Sequence, residues 1–252
     1  MLSKGLIKLI NSLNLKKYRQ KHGLFVAEGQ KMVSDLLKTN AVIKTIVTTQ
    51  SDFSNDKAEI IHCKASELDK VSFLKTSQEI IALVEIPKYS FDEKEILNDL
   101  SIALDGVQDP GNMGTIIRLA SWFGIKNILC SNDCVDIYNP KVVQATMGAL
   151  FGVKVHYLDL VETLNNLGKL PEYQIYGTFM NGTNIYKKKL SLNGIVVMGS
   201  EGAGISKEIE ELIKEKITIP SFSNTGEGVE SLNVGVATGI IISEFRRQNI
   251  RN

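Results

Sequence analysis

From Leu100 onward the chain alternates short, almost wholly apolar runs with stretches of helical period, and few folds accept that order. Ser101–Leu104, Asn127–Ser131, Gln174–Phe179, Gly194–Met198 and Ile217–Ile219 read as strands. Met113–Phe123, Lys141–Phe151, Lys207–Ile213 and Leu232–Arg247 read as helices, with Pro140 suited to the first turn of the second. Strands that are apolar on both faces must be covered on both. The pattern therefore predicts an α/β domain whose parallel sheet lies between helices. In such sheets ligands bind beyond the carboxyl ends of the strands.

The chain before Leu100 reads as a smaller α/β unit. Leu2–Tyr18 has helical spacing, Phe25–Ala27 is a short strand, and Lys31–Lys38 returns to helical period. Ala41–Thr48 and Ile80–Ile86 are strands by their β-branched content. Pro87–Ser90, followed by the acidic Asp92–Glu95, marks a boundary. This places a first domain at residues 1–95 and a second at 96–252.

Composition excludes several classes. The longest apolar runs, such as Ile240–Ile242, fall far short of the ~20 residues of a membrane span. The N-terminal patch around Leu6–Ile10 is too short and too interrupted by Lys8 for a signal peptide, so a cytoplasmic protein is expected. Three cysteines (Cys63, Cys130 and Cys134) with scattered His22, His62 and His156 suit reduced thiols and no metal. The net charge is only +1, yet residues 1–31 carry Lys4, Lys8, Lys16, Lys17, Arg19, Lys21 and Lys31 against Glu28 alone. That local excess is either the footprint of phosphate contacts or a solvated basic helix face.

Three polar, glycine-bearing clusters follow strands of the second domain. In Asp105–Gly114, Asp, Pro, Gly and Asn build a tight turn that opens a helix, and Arg118 lies further along it among Ile116, Ile117, Leu119 and Ala120. An arginine in so apolar a stretch is expected to have a partner, a structural salt bridge being the plain alternative to a functional one. Gly199-Ser200-Glu201-Gly202-Ala203-Gly204 lacks the Lys-Ser/Thr of a P-loop and the Gly-x-Gly-x-x-Gly spacing of a dinucleotide site. Its glycines suit close approach of backbone to a ligand, and Glu201 also suits a helix cap. The third cluster ends in Ser231-Leu232-Asn233, where either polar residue is able to cap the last helix. No His/Asp pair accompanies Ser231, which disfavours a hydrolase triad.

Together Asn112-x-Gly114-x-x-x-Arg118, Gly199-Ser200-Glu201-Gly202-x-Gly204 and Glu230-Ser231-Leu232-Asn233-Val234 resemble the three motifs of the SpoU (TrmH) RNA ribose methyltransferases of the SPOUT superfamily. The resemblance runs from about Ile102 to the C-terminal residues. Phe25-Val26-Ala27-Glu28-Gly29 is similar to the small, ribosomal-protein-like substrate-binding domain of many members, although Ser77-Gln78-Glu79 stands where a Gln-Gly step is usual. Two departures lie in the motif domain: the Pro220–Ser231 loop is longer than the family's usual one, and Gly235 replaces a common Ser.

The resemblance implies an α/β SPOUT domain with a deep trefoil knot and a homodimer. It implies S-adenosylmethionine (SAM) held by Thr178, Gly199, Ile219 and Leu232. It implies a reaction site of Asn112, Arg118, Glu201, Ser231 and Asn233 that methylates a ribose 2′-hydroxyl, in ribosomal RNA ahead of transfer RNA. A catalytically inactive RNA-binding protein of the same fold is the rival from another class, and a dinucleotide-dependent oxidoreductase is a third. Calorimetry with SAM against NAD separates them.

Overall fold

The computed structural model describes residues 1–222 and 231–250. Two compact units are present: Met1–Lys88 with Asp136–Phe151, and Tyr89–Val135 with Gly152 onward. The chain thus passes between units more than once, where composition suggested one crossing near residue 95.

The first unit contains α1 (Lys4–Ser12), α2 (Lys16–His22), β1 (Leu24–Glu28), α3 (Gln30–Leu37), β2 (Ile43–Thr48), β3 (Glu59–His62), α4 (Ala65–Leu68) and β4 (Ile80–Glu85). Its sheet runs β1-β4-β2-β3, antiparallel except for β2 with β3. Ile10, Leu13, Val26, Val47, Leu68, Ile81 and Leu83 form its core. The single helix expected over Leu2–Tyr18 is two, because Leu15 is extended. The buried Arg19 turns back to donate from Nη1 to the carbonyls of Leu13 and Asn14 at 2.8 Å. Those carbonyls have no helical partner, so the guanidinium closes the first helix. The remaining donors of Arg19, Nε and Nη2, reach Asp136 Oδ2 at 3.0 and 2.6 Å. The rings of Tyr138 and Phe151 lie 4.9 and 6.1 Å from that of Phe25. This pair and these rings explain why residues 136–151 group with the first unit.

The second unit begins with α5 (Glu93–Asn98), β5 (Leu100–Asp105), α6 (Pro110–Trp122) and β6 (Asn127–Cys130). After the excursion through α7 (Pro140–Thr146) it continues with β7 (Lys154–Tyr157), α8 (Leu160–Gly168), β8 (Ile175–Asn184), β9 (Gly194–Gly199), α9 (Lys207–Glu210), β10 (Glu215–Thr218) and α10 (Val234–Gln248). Its sheet is parallel throughout, in the order β10-β8-β9-β5-β6-β7. All six residues of β5 are buried, as expected for a central strand. Expected helix Lys141–Phe151 ends early: Met147 and Gly148 take φ of 48° and 89°, and a 3-10 turn replaces the rest. At α10, Arg246 Nε donates to the Phe123 carbonyl at 2.8 Å, which fastens the last helix to the end of α6. No helix among the described residues is long and apolar enough to cross a membrane.

Candidate active site

The site is built where β5 and β9 end, beginning with the helix that follows β5. Asp109 caps α6, its Oδ1 accepting from the Asn112 amide at 2.8 Å, and Pro110 occupies the first turn. This places Asn112 on the outward side of the first turn. Its Nδ2 donates to Glu201 Oε1 at 2.6 Å.

Glu201 belongs to a loop that closes on itself. Ser200 and Gly204 exchange backbone hydrogen bonds at 3.0 and 2.9 Å, and Ser200 Oγ accepts from the Ala203 amide at 3.2 Å. Gly199 permits the closure, since a Cβ there would sit 2.1 Å from the Gly204 carbonyl carbon. Glycine is required by that approach rather than by its own dihedral angles. The N-cap position of α9 is held by Ser206, five residues on, so the helix-capping alternative for Glu201 is set aside.

Asn233 is the N-cap of α10. Its Oδ1 accepts from the amides of Gly235 and Val236 at 3.0 and 3.2 Å. Its Nδ2 donates to Asn112 Oδ1 at 2.8 Å and to Glu201 Oε1 at 2.7 Å. Asn112, Glu201 and Asn233 therefore form a closed triangle, and among the described residues no hydrogen bond engages Glu201 Oε2. The capping role that Ser231 shared as a candidate falls to Asn233 alone, and the helix starts at Val234 rather than Leu232. Ser231 itself is exposed and outside the triangle.

Arg118 corrects an expectation. Met113, Gly114, Ile116, Ile117 and Ala120 form the buried stripe of α6, whereas Thr115, Arg118 and Trp122 fall on the opposite one. Arg118 is exposed and makes no ion pair or side-chain hydrogen bond with the described residues. Apolar neighbours in sequence were not neighbours on the same face.

The residues expected around SAM are spread over three strands and the approach to the last helix: Thr178 lies within β8, Gly199 closes β9, Ile219 follows β10 and Leu232 precedes α10. Thr178, half-buried on β8, donates Oγ1–H to the Val197 carbonyl at 3.2 Å, which leaves its lone pairs as acceptors. Gly199 ends β9, Ile219 follows β10 and is half-buried, and Leu232 is exposed at 47%. Ile219 and Leu232 offer apolar surface and Thr178 a hydroxyl acceptor, the kinds of group that the rings and the polar groups of an adenosine need. Residues 223–230, with most of the lengthened loop and Glu230 of the third motif, lie outside the described residues.

One brace escaped the sequence reading. Asp105, buried at the end of β5, accepts from the Ser206 amide at 2.7 Å and so fixes the segment that follows the Glu201 loop. The signal was an acid closing an otherwise apolar strand, since a buried carboxylate requires donors.

Comparison with known proteins matches the same segments. The model of the SpoU rRNA methylase family covers residues 99–243, and that of an MRM3-like substrate-binding domain covers residues 4–82. The chain is 29% identical over 239 residues to the 23S rRNA (guanosine(2553)-2′-O)-methyltransferase RlmP of Bacillus subtilis, covering 93% of each. A solved structure from Porphyromonas gingivalis, described as of the TrmH family of RNA methyltransferases, superposes with a TM-score of 0.88 at 37% identity, over 98% of this chain and 99% of that one. An AdoMet-bound rRNA methyltransferase of Sinorhizobium meliloti gives 0.86 at 28% identity, over 100% and 97%.

Proposed function

The chain belongs to the SpoU rRNA methylase family, and from that premise we infer that it transfers a methyl group from SAM to a ribose 2′-hydroxyl of ribosomal RNA. The observation that carries this reading is the triangle. Asn112, Glu201 and Asn233 come from three separated motifs, and their side chains meet at the strand ends where a parallel sheet binds ligands. SAM supplies an electrophilic methyl on a sulfonium; the protein must orient the ribose and manage the hydroxyl proton.

Within this reading the triangle orients the ribose hydroxyl. Asn112 and Asn233 hold Glu201 in one rotamer before substrate arrives, so little ordering is left for the reaction itself. Arg118 acts as a fixed cation rather than as a base, because a guanidinium does not give up its proton in a protein. It grips the RNA phosphate and steadies developing alkoxide charge, while the proton passes to phosphate or water. Thr178, Gly199, Ile219 and Leu232 hold the cofactor, and Ser231 contributes to the ribose side of the site.

The finer parts follow on their own supports. A homodimer is favoured by the outer face of α6 and α10, where Trp122 is 84% and Val236 52% exposed. Arg118 shares that face with Trp122 and so serves the site of a second copy. The deep knot is carried by family likeness, and the cytoplasm is the expected compartment. Residues 1–95 bind RNA, with Lys4, Lys8, Lys16, Lys17, Lys21 and Lys31 all exposed.

The test is methyl incorporation from labelled SAM into deproteinised rRNA, joined to mapping of 2′-O-methylation in a deletion strain against its parent. Loss of one ribose methylation in the deletion strain is the expected result. SAM binding without methyl incorporation into any RNA would favour the non-catalytic rival.

A further inference from the structure

The first unit holds a cavity of about 330 Å³ at the end of β1, within the range of small-ligand pockets. Glu28, Phe73, Leu74, Val143, Gln144 and Lys141 line it. Its floor is chemically unusual: Glu28 is only 5% exposed, in a unit whose other lining groups are largely apolar. Oε2 of Glu28 accepts from Ser72 Oγ at 2.7 Å and Oε1 from the Phe73 amide at 2.6 Å. No cation pairs with it among the described residues. A carboxylate offers about four lone-pair sites, so each oxygen keeps one beyond these bonds.

We propose that this cavity receives an unstacked guanine of the RNA substrate, with Glu28 reading its Watson–Crick edge. The proposal rests on the RNA-methyltransferase reading above. Two adjacent acceptors demand two adjacent donors. Among the four unmodified bases, only guanine presents them, as N1–H and the N2 amino group. Adenine and cytosine place a ring acceptor beside their amino group, and uracil flanks its N–H with carbonyls, so each would set a lone pair against the carboxylate. The rest of the lining suits a nucleotide. Phe73 supplies an aromatic wall and Leu74 and Val143 apolar ones, the means by which proteins hold splayed-out bases. Lys141 is exposed at the rim, where the attached phosphate would lie. Burial pushes the Glu28 carboxyl up from its ordinary value, and bonds from Phe73 and Ser72 oppose the rise. Donors from a base would hold it ionised in the same way.

Saturation-transfer NMR and calorimetry on the full chain test this with GMP, IMP and AMP as probes. IMP keeps N1–H but lacks the N2 amino group. The wild type is expected to bind GMP roughly tenfold tighter than IMP, the discrimination of a bidentate contact, and AMP more weakly still. Glu28→Gln should erase the preference for GMP. Because that change also loosens the Ser72–Phe73 anchor, a second variant, Ala145→Leu, adds bulk at another lining position and leaves the Glu28 side chain in place. It should lose GMP binding while keeping the wild-type melting temperature and SAM affinity. Equal binding of the three nucleotides, no GMP signal, or full GMP binding by Ala145→Leu would each overturn the proposal. Methyl incorporation by the wild type is read separately, so failure of the methyltransferase reading shows there, whatever GMP does.

Discussion

Arg19 and Arg118 stand in the two units and live under opposite conditions. Arg19 is 2% exposed and spends four hydrogen bonds on its own chain, two on helix-end carbonyls and two on Asp136. Arg118 is exposed and has no such partner among the described residues. The difference teaches where each unit places its free energy. A guanidinium with every direction committed holds a fold together and has nothing left for a ligand. One held on a rigid helix with its fork open is ready for an external phosphate. The first unit's basic stretch thus loses one member as an RNA contact, and the second gains a charge that structure alone does not use.

The largest effect that would break this contrast is on stability. Arg19→Ala leaves the half-buried Asp136 without its cation and two helix-end carbonyls without their donor, and should cost about 3–5 kcal/mol, read by chemical denaturation. Methyl transfer per folded molecule should be unchanged. If Arg19→Ala is as stable as wild type, the holding role is lost. Arg118→Ala should do the reverse: turnover down about 10²–10³-fold, with stability within about 0.5 kcal/mol of wild type. Arg118→Lys keeps the charge but not the planar fork, and near-normal turnover in that variant would refute both roles given to Arg118.

Asn233 sharpens the contrast because it belongs to both kinds. Asn233→Ala removes the cap, for about 1 kcal/mol, together with the triangle. Asn233→Asp retains an oxygen for the Gly235 and Val236 amides but replaces the donor to Glu201 with a like charge. Its melting temperature should stay near wild type while methyl transfer falls; equal loss of both would assign Asn233 to the helix alone.

The smallest effect lies in the second unit's interior. His156 is buried, bonded to Asn127 Oδ1 at 3.1 Å, and burial with the nearby Lys154 holds its pKa below the ordinary 6.5. The unfolded chain therefore binds the proton first. Stability is present above pH 6.5 and is lost as pH falls from there through the folded value. A melting series from pH 7.5 to 5.5 should show this decline, and His156→Gln should flatten it.

The second unit was the more legible in sequence because its strands are apolar on both faces. Gly194–Met198 and Ser101–Leu104 were found to within a residue or two of β9 and β5. β7 was missed: Lys154-Val155-His156-Tyr157 is a four-residue edge strand whose polar–apolar alternation is too short to stand out and whose one buried position is the polar His156. The helix broken at Met147 was unreadable for another reason, since nothing in a methionine announces a positive φ. At the site, motif spacing pointed to Asn112, Glu201 and Asn233 without revealing that they bond to one another. The apolar sequence around Arg118 promised a partner within the fold and the basic run around Arg19 a solvated side chain, but a helix divides sequence neighbours between two faces, and Arg118 is exposed while Arg19 is buried.

The three contacts of the triangle span 89, 32 and 121 residues of chain. Nothing local can form it, so the site exists only once the parallel sheet is complete and α10 has docked. Such long-range closure is slow to reach, and during synthesis it comes last. A chain cut short just before Asn233 would own all six strands of the sheet and two corners of the triangle, yet have no means of locking them. If the triangle works as proposed, an abandoned translation product would leave no half-competent enzyme to modify the wrong RNA.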